Sequence, residues 1–109
     1  MLKPGDVVIG PLAGVVATKT RPLVVVSTDQ YHAARPDVIV AVLTTQIARA
    51  TATTDYVLKD WSAASLHRAT AFRLFLATVP AAMLKLRGHL SDRDWQEIQT
   101  RLRLGIAVT

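Results

Sequence analysis

The residues able to do chemistry in this sequence are arginines and threonines beside apolar runs. Arg21 stands directly before Pro22 and the run Pro22-Leu23-Val24-Val25-Val26. Thr44 and Thr45 close the run Val38-Ile39-Val40-Ala41-Val42-Leu43 and are followed by Gln46. Arg68, Thr70 and Arg73 form a third cluster. A guanidinium presents paired donors to phosphate oxygens, and a threonine hydroxyl emerging at a strand end can donate to the same group. The overall charge suits that chemistry. Lys and Arg number 13 against 8 Asp and Glu, for a net charge of +5. Most of the cations are Arg and the only glutamate is Glu97. An Arg-heavy excess favours nucleic acid or an acidic protein partner. With no Cys, thiolate zinc sites, disulfides and cysteine nucleophiles are excluded. His32, His67 and His89 have no metal-ligand spacing. No metal or other cofactor is expected.

The elements that must position these residues are short. Asp6–Gly10 reads as a first strand closed by Gly10-Pro11, and residues 11–20 as a loop. The runs 22–26 and 38–43 are apolar without alternation, as in strands buried on both faces. Asp55–Leu58 reads as an edge or meander strand. Residues 67–73 and 75–79 read as two strand segments or one bent strand, and 84–86 as a further short strand. The period then changes. Ser91 stands three residues before Asp94, and Trp95, Ile98, Leu102 and Ile106 recur at spacings of three and four. This predicts an amphipathic helix over about 91–106. Strands followed by one helix suggest a small antiparallel barrel or curled sheet, with the helix covering an open side. The 109 residues suit one domain spanning 1–109, with no repeat or linker dividing them. No apolar run is long enough to cross a membrane and no leader-like segment opens the chain, so the cytoplasm is the expected compartment.

The order of several short motifs then carries a resemblance. Lys3-Pro4-Gly5-Asp6-Val7-Val8 comes first, then Lys19-Thr20-Arg21-Pro22-Leu23-Val24-Val25-Val26-Ser27. Val40-Ala41-Val42-Leu43-Thr44-Thr45-Gln46 follows, and Gly88-His89-Leu90-Ser91-Asp92 opens the helix. Over about residues 3–106 the chain resembles the MazF/PemK-like toxins of type II toxin–antitoxin modules. The resemblance implies an SH3-like β-barrel with a C-terminal helix, usually homodimeric. It implies metal-independent cleavage of single-stranded RNA, leaving 2′,3′-cyclic phosphate and 5′-hydroxyl ends. It also implies an acidic cognate antitoxin that blocks the RNA groove.

Carried onto this sequence, the resemblance assigns catalysis to Arg21 and Thr44. It assigns RNA contacts to Lys19, Thr45, Gln46, Arg68, Thr70 and Arg73. The chain also departs from the family. Ala17-Thr18-Lys19-Thr20 offers no carboxylate before the Arg-Pro pair, and Thr70 stands where some relatives have aspartate. The usual general bases are therefore missing. His67 alternates with Arg68 and should face away from it. Trp95 belongs to the helix core face, while Trp61 suits either packing or a base-stacking platform. Two rival functions remain: a non-catalytic RNA- or protein-binding module of the same fold, and a toxin directed at a protein such as a topoisomerase.

Overall fold

Runs of β-branched residues build the sheet. The computed structural model describes residues 1–13 and 18–108, with Ala13, Thr18 and Lys19 as backbone alone. Its strands are β1 (Asp6–Ala13), β2 (Thr18–Val25), β3 (Asp37–Thr44), β4 (Tyr56–Val57), β5 (Ala71–Pro80) and β6 (Lys85–His89). Two α-helices, α1 (Asp29–Ala34) and α2 (Asp92–Gly105), accompany them. The strands form one sheet in the order β4-β5-β3-β2-β1-β6, antiparallel throughout. No pairing joins β4 to β6 among the described residues. The short turn Ser62–Ala64 packs against β6 instead. Gly88 permits this approach, since a Cβ there would stand 2.4 Å from the Ala64 carbonyl oxygen. The result is a curled half-barrel, more open than a fully closed one.

Both faces of the sheet are apolar, which is why the central runs do not alternate. Ala41 and Leu43 of β3 join Val7, Val24, Phe72 and Ile98 in one cluster, on the side covered by α2. Val38, Val40 and Val42 join Val8, Leu23, Val25 and Val79 in the other. Trp61, Trp95 and Leu102 pack partly buried on the helix-side cluster. Trp61 is therefore a packing residue. Ile106, expected to continue the helix stripe, lies past the end of α2 and is exposed.

The start of α2 is tied to the chain after β4. Ser91 Oγ accepts the Asp94 N–H at 3.3 Å and donates to Asp60 Oδ2 at 2.6 Å. Asp94 is fully buried. It accepts from Tyr56 OH at 2.6 Å, Lys59 N at 3.0 Å and Asp60 N at 2.8 Å. Burial, and then the Asp94 carboxylate, push the Tyr56 phenol far above its ordinary range. Arg93 forks onto Asp60 with two contacts of 2.6 Å. That fork, helped by Ser91, lowers the Asp60 carboxyl to about 2.

The structure corrects three expectations. The loop over 11–20 is mostly hairpin: β1 and β2 pair from Val7↔Val24 out to Ala13↔Thr18, and residues 14–17 lie outside the described ones. Residues 29–34, around a His32 expected in a loop, form α1, whose N-cap Thr28 accepts the Tyr31 N–H at 3.2 Å. Residues 67–70 are not strand. β5 begins at Ala71 and runs unbroken to Pro80, with a register shift against β3. Val42 faces Arg73 but Ala41 faces Leu76, so Leu74 and Phe75 bulge out of the ladder.

Candidate functional site

Pro22 decides where β2 is open. It has no N–H to give, and the ladder from β2 to β3 begins only after it, at Leu23↔Val42. Arg21 therefore lies on a stretch of β2 bonded to β1 alone, opposite Gly10. Continued two residues, the β2–β3 register brings Arg21 level with Thr44. On the other side Thr44 pairs with Ala71, which pairs with Val57. Cross-strand partners share a face. One row thus runs Arg21, Thr44, Ala71, Val57 over a single face, and Leu23, Val42 and Arg73 form the next row. Arg21 and Arg73 flank β3 with their backbones about 12 Å apart, two strand spacings across and two residues along.

Arg21 and Thr44 are both half-buried. Thr44 Oγ1 accepts the Gln46 N–H at 3.1 Å, which turns the chain and leaves Thr45 and Gln46 exposed. Arg73 sits between two groups that the sequence reading did not connect to it. Its Nε lies 3.5 Å from Asp55 Oδ1. Its guanidinium carbon stands 4.5 Å from the centre of the Phe75 ring. Asp55 is buried and its other oxygen accepts the Ala52 N–H at 3.1 Å. The face thus presents two guanidiniums and one strand-end hydroxyl, with one carboxylate held behind Arg73 and two exposed polar residues just past the strand end. Such a set can bind and neutralise phosphates.

The remaining expected residues stand elsewhere. Thr70 is buried, and its hydroxyl donates to the Arg68 carbonyl at 2.8 Å. In this arrangement it is not presented to a ligand, because residue 70 precedes the strand and turns inward. Arg68 is exposed in the bend before β5, outside both rows. The Lys19 side chain lies outside the described ones. Each histidine has a partner away from the row. His32 Nε2 lies 2.5 Å from Ser27 Oγ, His67 Nε2 lies 3.1 Å from Arg87, and His89 Nδ1 lies 2.7 Å from Asp6.

The family follows from a match over residues 3–106 to the model of the PemK-like, MazF-like toxin of type II toxin–antitoxin systems. The chain belongs to this family. Solved structures share its fold. An endoribonuclease from a Mycobacterial species, in complex with its cognate antitoxin, is 20% identical over 100% of both chains, with a TM-score of 0.79. The Mycobacterium tuberculosis toxin MazF-mt6 is 17% identical over 89% of this chain and 91% of its own, with a TM-score of 0.72. The MazE-MazF structure (Form-II) from Deinococcus radiodurans is 13% identical over 97% of each chain, with a TM-score of 0.70. No curated protein matches the sequence. At these identities the likeness establishes the half-barrel with its C-terminal helix. In this PemK/MazF-like chain, the row of Arg21 and Thr44 comes from its own register.

Proposed function

We propose that this PemK/MazF-like protein is an endoribonuclease that cleaves single-stranded RNA at the Arg21 and Thr44 row. The supporting observation is the β2–β3 register, which, continued past Pro22, sets half-buried Arg21 level with the strand-end hydroxyl of Thr44, with Arg73 one row away. Cleavage begins when an RNA 2′-oxygen attacks the adjacent phosphorus. The bond from phosphorus to the 5′-oxygen breaks. The proton lost from the 2′-hydroxyl is matched by one gained at the 5′-oxygen, giving 2′,3′-cyclic phosphate and 5′-hydroxyl ends. Arg21 stabilises the charge that builds on the phosphoryl oxygens, and Thr44 donates a hydrogen bond to the same group. Thr45, Gln46 and Arg73 bind the flanking RNA.

The reaction as proposed needs no metal. Among the described residues, no group of three or more His, Cys, Asp or Glu lies together to hold one. The active form is a homodimer in the cytoplasm, and one domain carries the whole site. Its partner is an acidic antitoxin that covers the arginine face. Trp61 plays no part in that groove, since it packs on the helix side of the sheet.

A mixed single-stranded RNA incubated with the protein in EDTA, with product ends mapped, tests the reading. Cleavage to cyclic-phosphate and 5′-hydroxyl ends is expected. Activity that vanishes on chelation and returns with magnesium refutes it. RNA binding without any cleavage points instead to a binding module. The placement of Asp55 favours that second reading, because this carboxylate is buried behind Arg73 and cannot serve as an exposed base.

A further inference from the structure

Phe75 is 54% exposed although it is among the largest apolar residues of the sheet. The bulge in β5 is the cause. Of its two extra residues, Leu74 turns to the helix-side cluster, which leaves Phe75 outside. The ring is not loose on the surface. The Arg73 guanidinium lies over it at 4.5 Å. Arg73 is restrained in turn by Asp55, whose side chain is 3% exposed and is fixed by the Ala52 N–H. A buried carboxylate, a guanidinium and an aromatic ring are thus stacked in sequence from core to solvent.

We propose that Phe75 and Arg73 form a stacking platform for one unpaired nucleobase of the RNA, beside the Arg21 and Thr44 row. This inference rests on the RNA-cleaving reading and adds a binding subsite to it. Three features select this occupant. Every base has a π-face that stacks on an aryl ring or a guanidinium plane. Arg73 adds a cation where the phosphate attached to that base must lie, so ring and charge match the two parts of one nucleotide. The platform is also continuous with the candidate site, because Arg73 is two residues along β5 from Ala71, the partner of Thr44. Asp55 is the positioning residue. It orients Arg73 without itself reaching solvent.

The test uses a short single-stranded RNA with 2′-O-methyl groups, so that it binds without being cut. Its affinity is measured for the intact chain and for Phe75→Ala, Phe75→Leu and Phe75→Trp over a range of salt concentrations. Phe75→Ala should weaken binding about 10-fold, as expected for one lost stack. Phe75→Leu should be nearly as weak, although it keeps apolar bulk, and Phe75→Trp should restore binding. Because Phe75 is uncharged, the slope of log affinity against log salt should not change. Oligonucleotides with one abasic position locate the stacked base. At one position the missing base should weaken the intact chain but not Phe75→Ala.

If the intact chain binds and cuts RNA while Phe75→Ala binds every oligonucleotide equally well, this inference is overturned and the nuclease reading stands. Sedimentation gives a second check. If Phe75→Ala loses affinity only in proportion to a fall in molecular mass, Phe75 contacts a second copy of the chain and the platform is wrong. An intact chain that neither binds nor cuts RNA removes both readings.

Discussion

At the scale of single residues, the roles proposed for Arg21 and Thr44 on one phosphate are unequal. A guanidinium brings charge as well as donors, whereas a hydroxyl brings one donor. Arg21→Ala should therefore lower the rate of RNA cleavage about 10²–10³-fold, the usual cost of losing a charge-stabilising donor. Thr44→Ala should cost less. Both variants should melt as the parent does, since neither side chain belongs to either apolar cluster. Full activity of Arg21→Ala ends its assignment. Asp94 is the opposite kind of residue, with no route to substrate and a large share in stability. Asp94→Ala strands the Tyr56 hydroxyl and the N–H groups of Lys59 and Asp60. Leaving such buried donors unpaired should cost about 3 kcal/mol. Urea denaturation should record this as a lower midpoint at unchanged slope, and an unchanged midpoint would remove Asp94 from the account.

At the scale of elements, α2 is clamped at its first turn by Arg93 and Ser91 on Asp60. The folded-state carboxyl lies near 2, below its ordinary value of about 3.9. The clamp is therefore complete above about pH 4 and is lost as the pH falls toward 2. Asp60→Asn should melt below the parent at pH 7, and the gap should close between about pH 4 and pH 2. A gap independent of pH would mean that the charge is irrelevant. This helix was legible in the sequence, because Ser91, Asp94 and the spacing of Trp95, Ile98 and Leu102 mark a cap and one face. So were β3 and its last residue Thr44, where an unbroken apolar run stops. Helix α1 escaped despite Thr28 and Asp29 at its start, because it buries no side chain and so shows no stripe. The outer hairpin escaped for a similar reason, since residues 11–13 and 18–20 pair without the apolar run that marks a strand. Asp55 and Phe75 had no local signal at all. Their meeting with Arg73 depends on how β4 pairs with β5 and on the bulge, which only the folded sheet specifies. Thr70, given an RNA contact by the resemblance, stands one residue before β5 and turns inward to the Arg68 carbonyl.

At the scale of the whole molecule, the proposed function requires that a chain of net charge +5 with an arginine face be kept from cellular RNA. The proposed antitoxin does this with carboxylates on Arg21 and Arg73 and apolar side chains on the sheet. RNA and antitoxin peptide should then exclude one another. Both affinities should weaken as salt rises, the antitoxin's less steeply, because buried apolar area is not screened. Titrating the peptide into a preformed RNA complex at two salt concentrations measures this, and a ternary complex with no loss of RNA would refute the shared face. The bulge of β5 bears on how such a chain can change length. Its excess over β3 is two residues, an even number, so Arg73 stays on the face of Val42 while Ala77 and Val79 stay on that of Val40 and Val38. Removing Phe75 alone would leave an excess of one residue, the kind β6 already carries opposite Val7 and Val8 of β1, so both arms can keep their faces. Removing Leu74 and Phe75 together would leave a regular ladder but take Leu74 from the helix-side cluster. Both deletants should fold, with the double deletion melting below the single one. Equal thermal melts of the two would show that Leu74 adds nothing and that the spare length of β5 is free to be lost.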